Sequence, residues 1–142
     1  MYFDLVIGKE FPAKVIPLID RAKSEIRIIV FDWRWYPNDP SNPVQLFNQA
    51  LVRASRRGVS VSVITNSNDI VSILCDLGIK AKKPSTANLI HVKLMLLDNE
   101  LLVIGSHNYT QSAFTMNYEV SLIVAGAFDT KRLTDFFGSL FF

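Results

Sequence analysis

His91-Val92-Lys93-Leu94-Met95-Leu96-Leu97-Asp98-Asn99-Glu100-Leu101-Leu102-Val103-Ile104-Gly105-Ser106-His107-Asn108 holds two apolar runs separated by a polar triplet. Leu94–Leu97 and Leu101–Ile104 across Asp98-Asn99-Glu100 predict a β-hairpin, and Asn99 suits the positive-φ position of its turn. Side chains alternate along a strand, so His91 and Lys93 share a face with Cα atoms roughly 6–7 Å apart. The returning strand delivers Gly105-Ser106-His107-Asn108 beside the start of the first. An imidazole, an ammonium, a hydroxyl (Ser106) and an amide donor (Asn108) are then aimed at one place, and Gly105 allows close backbone approach.

Outward from the hairpin, strand and helix patterns alternate. Strands are expected at Tyr2–Ile7, Glu25–Trp33, Val59–Thr65, Ile79–Lys82 and Tyr118–Ala125. The run Ile26, Ile28, Ile29, Val30, Phe31 is dense enough for a strand buried on both faces. Helices are expected at Phe11–Ser24, where Val15, Leu18, Ile19 and Ala22 recur at helical spacing, at Val44–Arg57 closed by Gly58, and at Asn68–Leu77 closed by Gly78. Arg34–Pro43, with three prolines, is a loop. A short helix is expected within Ser106–Asn117, and Asp129 caps a last helix ending in Leu140-Phe141-Phe142. No linker, repeat or low-complexity tract interrupts this order. The expectation is one α/β domain over 1–142, a mixed central sheet flanked by helices.

Composition bounds the function. With 142 residues, 49% of them hydrophobic, the chain can bury a core. A net charge of +2 does not itself argue for nucleic acid. Arg53, Arg56 and Arg57, and Lys80, Lys82 and Lys83, form two basic clusters that read first as solvated surface and second as an attraction for a polyanion. The single Cys75 excludes an internal disulfide and, lying in an apolar stretch, is expected to be buried and inert. No signal peptide or membrane span is apparent, so a cytoplasmic protein without stable membrane association is expected.

The stretch from His91 to Asn108 resembles the HxKxxxxD…GSxN signature of the phospholipase D superfamily. Six specified positions, each about 5% likely, make a chance match on the order of one in a million. The resemblance implies phosphodiester chemistry. His91 would attack phosphorus and form a phosphohistidine, while Lys93, Ser106, Gly105 and Asn108 hold the phosphate and stabilise its charge. It also implies that Glu119, of Asn117-Tyr118-Glu119, holds the histidine in its tautomer. Asp98 belongs to the signature, but it lies at the far end of the hairpin, about 23 Å along the strand from His91, so a turn or ion-pair role outweighs direct chemistry there. His107 occupies the variable place, where a loop or substrate contact is expected. No pair of carboxylates with metal-site spacing accompanies the motif, so neither metal nor other cofactor is expected.

One motif supplies one nucleophile, yet the leaving oxygen needs an acid. The chain looks like the small single-motif bacterial endonucleases of the superfamily, which implies a homodimer with His91 of one protomer as nucleophile and His91 of the other as general acid. The leading expectation is a nuclease acting on DNA or RNA. Trp33-Arg34-Trp35-Tyr36 is either packing or a platform on which Trp35 stacks bases and Arg34 meets phosphates. A lipid phosphodiesterase or phosphatidyltransferase is the alternative, with Phe136, Phe137, Leu140, Phe141 and Phe142 as its candidate membrane surface. A non-catalytic nucleic-acid-binding module is a third.

Overall fold

The computed structural model describes residues 1–141; Phe142, the end of the expected terminal aromatic pair, lies outside them. The strands are β1 (Tyr2–Ile7), β2 (Glu25–Val30), β3 (Ser60–Thr65), β4 (Lys80–Lys82), β5 (Lys93–Leu97), β6 (Leu101–Gly105) and β7 (Val120–Ala125). The α-helices are α1 (Phe11–Arg21), α2 (Pro43–Arg56), α3 (Asn68–Asp76), α4 (Gln111–Thr115) and α5 (Thr130–Phe141). One mixed sheet has the order β1-β7-β6-β5-β2-β3-β4. β2, β3 and β4 run parallel, while β5, β6, β7 and β1 add antiparallel.

The hairpin forms as expected, with Leu94 opposite Ile104 and Leu97 opposite Leu101. Both Asp98 and Asn99 adopt positive φ. β2 ends at Val30 rather than Trp33, because the Asp32 amide donates to Asn108 Oδ1 (3.0 Å) and turns the chain away from the ladder. Helix α1 stops at Arg21 instead of Ser24 for two reasons. The Arg57 guanidinium donates to the Ile19 and Ala22 carbonyls at 2.8 and 2.9 Å, a cation at a helix C-terminus. The next three amides, Lys23, Ser24 and Glu25, all donate to the Asp98 carboxylate at 2.8–3.0 Å.

Those contacts also settle the first basic cluster. Arg53 forks onto Asp20 and Arg57 caps α1, so two of the three arginines fasten α2 to α1. Cys75 is exposed, contrary to the expected burial. Ile70 and Leu74 take the core side of α3, and at 3.6 residues per turn the next position points about 100° away.

The two faces of the sheet are covered unequally. α1 to α4 pack one face with Val15, Ile19, Phe47, Leu51, Leu74 and Phe114; each such side chain contributes about 1.5–3 kcal/mol. Among the described residues the other face carries one helix, α5, which sets Phe137 and Leu140 over Ile29, Leu94, Leu102 and Val124. A helix is about 10 Å across, whereas a seven-stranded sheet is roughly 30 Å wide. The β1–β7 end of this face is therefore bare: Phe3, Leu5, Ile7 and Val120 are each more than half exposed. The outer edge of β1 is differently treated. The Lys14 ammonium donates to the Leu5 carbonyl at 2.8 Å, and the Glu10 carboxylate accepts the Ile7 amide at 2.9 Å.

Asp98 is thus an anchor between the hairpin turn and the α1–β2 connection. Its partial burial pushes the carboxyl up, but the hydrogen bonds from Glu25, Ser24 and Lys23 outweigh this and hold it at about 2. A carboxylate depressed on folding stabilises above its ordinary pKa of about 3.9 and loses that contribution as pH falls through about 2. Asp98→Asn is expected to cost about 1–2 kcal/mol at pH 7, discounted for solvent screening. In paired thermal melts the gap between the two proteins should close by about pH 2; a gap independent of pH would refute the anchor.

Candidate active site

The register gathers the motif at one sheet edge. Leu94 faces Ile104, Gly105 faces Ser121, and Val30 faces Lys93. Continuing each ladder outward sets, side by side, the residues after β2 (Phe31, Asp32), those opening β5 (His91, Lys93), those closing β6 (Ser106 to Asn108) and Glu119 before β7.

His91 lies just ahead of β5 and is exposed. The Lys93 ammonium approaches its ring, 3.1 Å from Nδ1 and 3.3 Å from Nε2, so it can donate to the nitrogen that lacks a proton. Phe31 packs on the same pair: its ring centroid is 5.0 Å from that of His91 and 5.7 Å from the ammonium. Asn66, which the sequence reading missed, fixes the segment entering His91. Its amide donates to the carbonyls of Phe31 and Ile90, both at 3.1 Å, tying the end of β2 to the residue before the histidine. A lone asparagine after a buried strand was the only signal, and it is a weak one.

The other members divide by role. Asn108 Oδ1 is occupied by the Asp32 amide, which leaves its NH2 group as the donor. Ser106 Oγ donates to Glu119 Oε1 at 2.6 Å and accepts from the Val120 amide at 3.0 Å. Glu119 is held further by Asn117 Nδ2 at 3.1 Å. Within one chain, then, the structure joins Ser106 to Glu119 and His91 to Lys93, and puts no hydrogen bond between Glu119 and His91. Asp98 sits at the opposite end of the hairpin and does not join the site.

Gly105 allows a close approach, but to protein. A Cβ there would fall inside the contact distance of Ser121 Cα and Oγ and of the Val120 carbonyl oxygen. His107 makes no loop or substrate contact of the kind expected. It is 1% exposed and stacks on Phe11 with centroids 4.6 Å apart. Its Nδ1 meets Ser121 Oγ at 2.7 Å and its Nε2 meets the Gly8 carbonyl at 2.8 Å, so Nε2 carries the proton and donates. Burial pushes this imidazole below its ordinary range, against the upward pull of the Gly8 carbonyl and the Glu119 charge.

The aromatic loop is split. Trp33 is wholly buried, its indole N–H donating to Asn48 at 2.7 Å, and the Tyr36 hydroxyl accepts from the Gln111 amide. Arg34 remains 62% exposed and pairs with Asp32 at 3.1 Å, and Trp35 is half-buried. Among the described residues no three His, Cys, Asp or Glu side chains assemble into a metal-binding group, and no helix is long and apolar enough to cross a membrane.

A family profile described as cardiolipin synthase, PLD-like domain, matches residues 15–141. No curated protein is similar enough in sequence to match. Among solved structures, Nuc from Salmonella typhimurium, a phospholipase D family member, shares the fold with a TM-score of 0.79 at 22% identity, over 98% of this chain and 94% of its own. NucT from Helicobacter pylori gives 0.78 at 16% identity, over 98% and 94%. Phosphatidylserine synthase from Haemophilus influenzae gives 0.74 at 12% identity, over 96% of this chain and 36% of its own. At such identities these structures share a fold with the chain, while the profile covers most of its length and carries the motif with it: the chain belongs to the phospholipase D-like family.

Proposed function

We propose that the chain is a phosphodiesterase that cleaves nucleic acid, with its active site shared across a homodimer. The observation that carries this is the exposed His91 ring with the Lys93 ammonium 3.1 Å away, a nucleophile beside the charge that would neutralise a phosphate. A ring nitrogen of His91 attacks phosphorus, the N–P bond forms, and the P–O bond to the departing oxygen breaks. Lys93 and the Asn108 amide donate to the non-bridging oxygens. Ser106 is committed to Glu119 and acts as a positioning residue. Water then attacks phosphorus, the N–P bond breaks, and His91 is released. The proton given to the leaving oxygen, and the one taken from water, belong to a second histidine.

His107 cannot be that histidine, being buried between Gly8 and Ser121. His91 of the partner subunit can, and Glu119, which has no bond to His91 within its own chain, would orient it across the two-fold axis. The surroundings of the site favour such a partner: Leu89, two residues before His91, and Met116 and Tyr118, just before Glu119, are strongly exposed, and Tyr118 leads into Val120 on the bare β1–β7 face. Exposed apolar side chains gathered beside a site suit a protein partner.

Two outcomes are expected. The chain cuts plasmid and single-stranded DNA or RNA in excess EDTA, because no step above uses a metal. Failure on all three, with turnover of phosphatidylglycerol in vesicles, would replace this reading with the lipid one. Leu5→Asp on the bare face is expected to give a folded monomer, its stability changed by about 0.5 kcal/mol or less, with at least about 100-fold less cleavage through loss of the second acid. Sedimentation velocity and a cleavage assay check it; a fully active monomer would refute the shared site.

A further inference from the structure

Two clefts open beside the loop that follows β2, and Arg34 and Trp35 line both of them. The larger, about 550 Å³, lies between Trp35 and the first turns of α3, with Ser67, Asp69, Ser72 and Ile73 among its lining residues. That volume falls in the range of small-molecule sites, roughly 300–1,000 Å³. It also lies outside the carboxyl ends of the parallel strands β2 and β3, where open α/β sheets bind ligands. Its connection to the catalytic residue is short. Ser67 follows Asn66, whose side chain holds the Ile90 carbonyl, and Ile90 precedes His91.

The lining is wrong for a phosphate. Its one cation, Arg34, is already forked onto Asp32, and Asp69 adds a negative charge. An indole, two serine hydroxyls and a carboxylate suit a flat, neutral group that presents N–H donors at its edge. A nucleobase has that chemistry.

We propose that this cleft is a nucleobase site in which a base neighbouring the scissile phosphate stacks on Trp35, and that single-stranded nucleic acid is therefore bound in preference to duplex. The choice of polymer rests on the function proposed above; the base site itself does not. In a duplex each base is stacked on both sides and its edge is paired, so only an unpaired base can enter.

The chain has two tryptophans, and Trp33 is fully buried, so Trp35 is the reporter. The test uses the His91→Ala protein, which leaves its ligand uncut, titrated with a short thymidine oligonucleotide, the matching duplex and an abasic strand of equal length. The single strand should quench tryptophan fluorescence and bind more tightly than the duplex. Adding Trp35→Leu should remove the quench and weaken binding about five- to 150-fold. The abasic strand should bind both proteins alike, within about twofold. Trp35→Tyr should retain the affinity, since tyrosine also stacks.

Should Trp35→Leu fail to fold, Ser72→Leu fills the cleft from exposed positions of α3 and should weaken binding similarly. Unchanged affinity in the leucine variants, or a duplex bound as tightly as the single strand, would overturn the proposal. A strand that quenches Trp35 while the wild-type protein cuts no phosphodiester would support the base site and sink the proposed activity. Cleavage without quenching would do the reverse.

Discussion

His91→Ala is expected to abolish phosphodiester cleavage, by at least about 10⁴-fold, because it removes both the nucleophile of one half-site and the acid of the other. The side chain is exposed, so the melting temperature should shift by no more than about 0.5 kcal/mol would produce. Mixing sharpens the result. If every productive site needs two intact histidines, an equimolar mixture of wild type and variant, re-equilibrated through unfolding, keeps about a quarter of the wild-type activity, the share of wild-type homodimers. Independent sites would keep about half. Activity per milligram before and after refolding decides between them, with a refolded wild-type control; the value of one half would refute the shared site and leave the nucleophile assignment standing.

The second large effect concerns stability. Gly105→Ala is expected to destabilise by at least about 3 kcal/mol, the upper end of overpacking costs, since the new methyl meets backbone atoms of β7 as well as the Ser121 hydroxyl, and backbone cannot swing aside. Relief requires β6 and β7 to separate where Ser106 binds the Val120 amide and carbonyl. Activity should therefore fall with stability, and below the melting transition the variant should still lose cleavage. Urea unfolding of the two proteins measures the first effect. A difference under about 1 kcal/mol would mean that the strands can part cheaply, and would return Gly105 to a role in substrate approach.

The hairpin and its chemistry were legible because both depend on local order. Two apolar runs, a polar triplet and alternation along a strand are enough to bring His91, Lys93 and Asn108 to one edge. What escaped depends on partners distant in sequence. His107 looked like a loop residue because Gly8 and Ser121, its hydrogen-bond partners, lie 99 and 14 residues away. Gly105 was read as making room for a ligand because nothing local shows how closely β7 passes. Arg57 looked like surface charge until α1 ended against it. For Asp98 the distance along the strand weighed a structural role above a chemical one, but its three amide partners come from another connection and could not be seen. Cys75 was misplaced because apolar neighbours were taken for burial, whereas α3 has one buried side and Ile70 and Leu74 occupy it.

The charged pair at β1 has a geometric consequence. A sheet can grow in two directions: sideways, by adding a strand to its edge, or in thickness, by receiving something on its face. Lys14 and Glu10 occupy backbone groups of Leu5 and Ile7 on the outer edge, which closes the sideways route in the manner of natural edge strands. The neighbouring face, with Phe3, Leu5, Ile7 and Val120, is left open. Whatever meets this end of the molecule adds a layer, and the width of the sheet stays at seven strands.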